Sequence, residues 1–155
     1  MRLYMFEHCS LCFRVRMTAG LKRLHLQETV VLDDDTETMT GLVGKRQIPI
    51  LVKDDGATML ESMDMVKYVD SIGNPVLIGQ QRPEIALWAD AAADKTAPLS
   101  WPRYPLLGLP EFATAAALAH YEVRKHKSLG DLVEHRARTR DLLRDLMPHL
   151  ESLDG

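Results

Sequence analysis

Strand-forming runs in this 155-residue chain end well before its midpoint, and that asymmetry limits the folds open to it. Residues 2–6, RLYMF, and 28–32, ETVVL, are short apolar runs, the second β-branched and bounded by the acidic turn DDD, so each reads as a strand. The stretch between them, about residues 10–22, reads as a helix. A βαβ unit of this kind implies parallel strands joined by a right-handed crossover. A second helix lies in TETMTGLV, with Thr36 or an upstream Asp as its N-cap and Gly44 at its stop. QIPILVKDDGATMLES then predicts two antiparallel strands, about 48–53 and 57–60, turning at Asp55-Gly56. SMDMVKYVDSIG is a third helix, N-capped by Ser62, with Met63, Val66 and Val69 or Asp70 at helical spacing and Gly73 at its end. One four-stranded mixed sheet covered by helices satisfies this order, an α/β fold.

After GNPVLIGQQR the pattern is helical throughout, which places a first domain at 1–73, a linker at 74–82 and an all-α domain at 83–155. Pro83 suits the first position of a helix running to about Lys95, with Ile85, Trp88, Ala89 and Ala92 on one face. APLSWPRYPLLGLP reads as a proline-rich connection. A helix of about 111–127 follows, with Phe112, Ala115, Ala116, Ala119 and Val123 inward. A last helix starts near Leu129; Leu132, Val133, Leu143, Leu146, Leu150 and Leu153 form its apolar stripe, and Pro148 is expected to kink or end it.

The chemistry concentrates in EHCSLCFRVRM. Cys9 and Cys12 stand three apart where the first strand hands over to a helix, so they lie on one side, with Cys9 beside unpaired backbone N–H groups. A positive helix terminus favours the thiolate, and Arg14, Arg16 and Lys45 are candidates to add to it. That pattern points to reversible dithiol chemistry over a space-filling pair or half of a zinc clip. Zinc would need two more ligands from six scattered histidines. His8 is read as a surface residue that tunes the local field, with a general-base role as the alternative.

Composition closes off other classes. With 19 basic and 22 acidic residues the net charge is -3, too little positive field to recruit nucleic acid or an anionic membrane. No run of 18 apolar residues is present, and MRLYMFEHC lacks the apolar core of a signal peptide, so the cytoplasm is the expected address.

The succession of strand, CSLC, helix, RQIPIL and LESMDMVKYVD resembles a glutaredoxin domain of the thioredoxin fold. With its all-helical second half, the whole chain resembles the two-domain bacterial glutaredoxin 2 type, built like a glutathione transferase. Similarity is dense over residues 1–75 and looser beyond. The family's helical domain usually continues for several more helices, so a shortened domain with apolar surface left open from Leu143 to Leu153 is expected, and a monomer or weak dimer.

The resemblance implies that Cys9 is the nucleophile and Cys12 the resolving thiol, with glutathione as cosubstrate and no metal. It implies a cis Pro49, and an Ile48 backbone that pairs with the cysteinyl part of glutathione. Glu61 and Ser62 match the acidic-Ser pair that holds the γ-glutamyl end, the carboxylate facing an ammonium and the helix start facing a carboxylate. Between the thiols the family usually has Pro-Tyr. Here Ser10 removes a rigid residue, and the resemblance implies that Leu11 lines the glutathione site in place of an aromatic wall. The expected partners are glutathionylated or disulfide-containing proteins. Two other readings stand beside this one: a glutathione transferase using the same Glu61-Ser62 grip, and a non-catalytic glutathione-sensing or protein-interaction module. An iron-sulfur-bridged dimer is a minor further one.

Overall fold

The computed structural model describes residues 1–80 and 82–152. The chain groups into two compact units, Met1–Gly79 with Leu109–Leu118, and Gln80–Gly108 with Ala119–Gly155. A segment from the helical half therefore groups with the sheet.

In the first unit the strands are β1 (Arg2–Met5), β2 (Gln27–Val30), β3 (Ile50–Val52) and β4 (Thr58–Met59), in the order β2-β1-β3-β4. β1 pairs parallel with β2, Arg2 opposite Gln27, and antiparallel with β3, Arg2 opposite Val52; β3 and β4 form the antiparallel hairpin. This is the mixed sheet that the βαβ and ββα patterns require.

Alternation along β1 sorts the core. Leu3 and Met5 face one side, packing with Cys12, Val15 and Ala19 of α1 (Ser10–Leu21) and Met65 and Val69 of α3 (Ser62–Ser71). Tyr4, Phe6 and Ile50 face the other, against Met39 of α2 (Thr36–Val43). The inward face of α3 is Met65, Val66 and Val69, while Met63 is exposed.

Local chemistry sets the helix ends. Asp35 caps α2 by accepting the Thr38 N–H at 2.9 Å, and Gly44 closes it in the left-handed region at φ 75°. Ser62 is the first residue of α3, not its cap. Glu61 is the half-in residue instead: its backbone is extended and its C=O accepts the Met65 N–H.

The second unit contains α4 (Pro83–Ser100), most of α5 (Ala115–Leu129), α6 (Leu132–Ala137) and α7 (Thr139–Glu151). α4 runs past the expected stop at Lys95 and through Pro98, because a helical proline removes one N–H bond while its neighbours stay paired, as Trp101 N–H is with Ala97 C=O. Its expected apolar face is only partly covered: Trp88 and Ala92 are half-buried, Ile85 and Ala89 exposed.

The single last helix that the sequence suggests is two, and Pro148 lies inside α7 without ending it. The turn beyond Pro148 is held by Trp88, whose indole N–H donates to the His149 C=O at 2.9 Å and whose ring stacks on the His149 ring at 4.7 Å. Leu132 and Leu146 are buried, whereas Val133, Leu143 and Leu150 are exposed; Leu153 lies outside the described residues.

A 3-10 turn at Pro110–Phe112 replaces the expected start of α5. Ala117 and Tyr121 are that helix's buried residues, while Ala115, Ala116, Ala119 and Val123 are exposed.

Candidate active site

Cys9 is the N-cap of α1, with an extended backbone, and its Sγ accepts the Cys12 N–H at 3.3 Å. Cys12, one turn in, is fully buried in the core between α1 and α3. Both thiols are free.

The two sulfurs divide one proton unequally. Hydrogen bonding from the Cys12 thiol lowers the Cys9 pKa most; burial opposes it, the N–H groups of Cys12 and Leu11 add to it, and the nearby His8 charge adds last, bringing Cys9 to about 6. Cys12 is pushed up, first because its S–H is held by Cys9 and then by burial. Cys9 is thus the thiolate at neutral pH and Cys12 the protonated partner. The Arg16 guanidinium is engaged by Glu7 at 2.8 Å and Glu28 at 2.9 Å, and its charge acts on Cys12.

The QIP segment lies at the same end of the sheet. Ile48-Pro49 is a cis peptide, as the resemblance implied, and Ile48 packs on the same two core clusters as Cys9. The Gln47 side-chain amide donates to the Leu60 C=O at 2.9 Å, tying this loop to the residue before Glu61. Glu61 is exposed at the head of α3 and Ser62 is buried beside it, while α3 packs along α1. Leu11 is 40% exposed and Ser10 is also exposed on the first turn of α1.

His8 is not the surface residue that its position suggested, since its side chain is 12% exposed. The imidazole lies between the rings of Phe6 and Phe112, at 5.5 and 5.4 Å. Glu111 Oε1 accepts the His8 backbone N–H at 3.0 Å and lies 2.6 Å from His8 Nδ1. Glu111 is completely buried. Burial pushes its carboxyl up, but the hydrogen bonds from His8 outweigh that and hold it below the ordinary carboxylate value. Sequence reading missed Glu111: the only local signal was a charged residue between Pro110 and Phe112.

Comparison with known proteins fits this geometry. A family model described as "Glutathione S-transferase, N-terminal domain" matches residues 8–72, and one described as "Glutaredoxin 2, C terminal domain" matches residues 84–155. Glutaredoxin 2 of Escherichia coli strain K12 is 38% identical over 155 residues, which are 99% of this chain and 72% of the relative. The chain belongs to the glutaredoxin 2 family. Its class is therefore that of the glutaredoxins, thiol-disulfide oxidoreductases. A solved glutaredoxin 2 of Salmonella typhimurium, in complex with glutathione, superposes with a TM-score of 0.93 at 35% identity, covering 99% of this chain and 71% of that one. A glutathione S-transferase of Ceriporiopsis subvermispora shares the fold, with a TM-score of 0.69 at 16% identity over 96% of this chain and 71% of its own.

In this glutaredoxin 2 chain, no group of three or more His, Cys, Asp or Glu among the described residues is arranged to hold a metal ion. No described helix is long and apolar enough to cross a membrane. A cavity of about 410 Å³ opens in the second unit beside His126, Asp131 and Arg136. It contains no thiol and none of the residues that the dithiol chemistry needs.

Proposed function

We propose that this chain reduces glutathione mixed disulfides and protein disulfides, with Cys9 attacking and Cys12 resolving. The observation that carries the assignment is the asymmetry of the pair: an N-cap sulfur accepting the Cys12 N–H with a pKa of about 6, against a buried thiol that keeps its proton. In the monothiol route the Cys9 thiolate attacks the glutathione sulfur of a mixed disulfide. A Cys9–glutathione bond forms, and the substrate leaves as a thiolate that takes a proton from water. A second glutathione thiolate then attacks that bond, giving glutathione disulfide and restoring the Cys9 thiolate.

In the dithiol route Cys9 forms a mixed disulfide with the protein substrate. Cys12, after losing its proton, attacks the Cys9 sulfur and expels the substrate's second thiol. The resulting Cys9–Cys12 disulfide is returned to two thiols by two glutathiones, which leave as their disulfide.

Glutathione would lie across Cys9 and Leu11, with its cysteinyl backbone on Ile48 before Pro49 and its γ-glutamyl end at Glu61 and Ser62. The glutathione-bound Salmonella relative supports this reading, as do the tie from Gln47 to Leu60 and the head of α3, where Glu61 makes no side-chain capping bond. Substrates would be glutathionylated or disulfide-containing proteins. A reducing cytoplasm suits a pair of free thiols, and a monomer or weak dimer suits the partly open helical unit.

Reduction of a glutathione mixed disulfide, coupled to glutathione reductase, tests the assignment in wild type and two variants. Cys9→Ser is expected to abolish turnover. Cys12→Ser is expected to keep mixed-disulfide reduction and lose reduction of protein disulfides. Turnover surviving in Cys9→Ser would overturn the roles.

A further inference from the structure

Glu111 is a costly residue for the place it occupies. It is completely buried, yet Oε1 makes both contacts with His8 while Oε2 accepts no hydrogen bond among the described residues. A neutral amide would satisfy an N–H donor equally well. What a carboxylate adds in such a place is charge, and a buried charge is tolerated where an opposite charge lies against it. The group against it is the imidazole of His8, next in sequence to the nucleophilic sulfur.

We propose that Glu111 is a positioning residue for the Cys9 thiolate, acting through His8: it fixes the backbone and ring of the residue that leads into Cys9 at the start of α1. The inference rests on Cys9 being the attacking thiol.

Four observations in the first unit support it. One carboxylate oxygen holds both the backbone N–H and the ring nitrogen of His8, fixing main chain and ring together. Phe6 and Phe112 close on the two faces of the ring and hold its orientation. The Glu111 backbone is anchored as well, its C=O accepting the Asp33 N–H at 3.0 Å. Finally, His8 adds, as the smallest of the named causes, to those that hold Cys9 below the ordinary thiol value.

Arg46 lies over the Phe6 ring at 5.9 Å and pairs with the buried Asp33 at 3.4 Å. Arg16 is taken up by Glu7 and Glu28 and acts on Cys12. The sulfur itself faces the Cys12 thiol and the N–H groups of Cys12 and Leu11.

The test is the pH profile of Cys9 alkylation by iodoacetamide, followed by mass spectrometry on the full reduced chain. It reads the thiolate without any glutathione turnover, so a failure here differs from a failure of the Cys9 assignment. For Glu111→Gln, folded by circular dichroism, the midpoint is expected to rise by about half a pH unit or more, the direction expected when His8 is released from the position in which it helps to lower Cys9. His8→Gln is expected to rise similarly, and the double variant to rise no further than either single one. An unchanged midpoint in folded Glu111→Gln overturns the proposal. So does a shift in Glu111→Gln that is absent in His8→Gln, or full additivity in the double variant. If Glu111→Gln does not fold, His8→Gln decides alone, and an unchanged midpoint there overturns the role of the pair.

Discussion

The backbone nitrogen of Cys12 stands 3.3 Å from Cys9 Sγ, so Cys12 stabilises the Cys9 sulfur through its main chain as well as its side chain. Because hydrogen bonding from the Cys12 side chain is the largest cause lowering the Cys9 pKa, Cys12→Ala is expected to move it upward from about 6. Cys12→Ser keeps a hydroxyl donor and is expected to move it less. Thiolate absorbance near 240 nm, titrated in both variants, checks the order.

The same depressed pKa links stability to pH. Cys9 binds its proton more weakly folded than unfolded, so in the window from about 6 to the ordinary thiol value of 9.0 the unfolded chain carries more protons. Its contribution to the stability of the reduced protein is therefore present above that ordinary value and lost as pH falls through about 6. Urea unfolding of the reduced protein across this range, compared with Cys9→Ala, should show the difference narrowing toward acid.

Redox potential should bend at the same pH. Below it, reducing the Cys9–Cys12 disulfide takes up two electrons and two protons; above it, two electrons and one proton. The potential is expected to fall by roughly 59 mV per pH unit on the acid side and roughly 30 mV on the basic side. A glutathione redox titration at several pH values reads the slope, and a bend near 6 is the expected result.

Glutathione affinity should depend on the head of α3. Ser62→Ala and Glu61→Gln are each expected to raise KM for glutathione roughly ten-fold, the loss of one hydrogen bond to a charged group. The Cys9 alkylation profile should stay where it is. Initial rates at varied glutathione, beside that profile, separate lost binding from an altered nucleophile.

A purely structural site lies at the other end of α3. Asp70 accepts the Val76 N–H at 2.8 Å and lies 3.8 Å from Lys22 Nζ, which also donates to the C=O groups of Asp70 and Asn74 at 2.5 and 2.6 Å. Lys22 is only 4% exposed, so Asp70→Ala leaves a buried ammonium without its carboxylate and is expected to cost about 2–4 kcal/mol. A lowered urea midpoint with an unmoved Cys9 titration is the expected pair of results.

Much of the first unit was legible because its signals are local. Alternation in RLYMF, the β-branched ETVVL, the Asp55-Gly56 turn and Gly44 each act within a few residues, and β1 to β4 and α1 to α3 follow them. Legibility faded in the helical half, where prolines were read as breaks. Pro98 and Pro148 sit inside α4 and α7, since one lost N–H bond is outweighed by the paired turns around it and, at Pro148, by the contacts of Trp88 with His149. The inward face of α5 was also misread: a run of alanines has too little contrast to show which side turns in, and Tyr121 decides it.

By itself the sequence determined the chemistry on offer: two thiols one helical turn apart, a pair readable from spacing because it works over a few bonds, and a QIP turn and an acidic-Ser pair that only the family resemblance picked out. Tertiary structure alone decided what surrounds those thiols. It buried Cys12, left Cys9 at a helix N-cap, and brought Glu111 onto His8 across 103 residues. A carboxylate shows its preference for a partner only through space, and no periodicity along the chain encodes that distance.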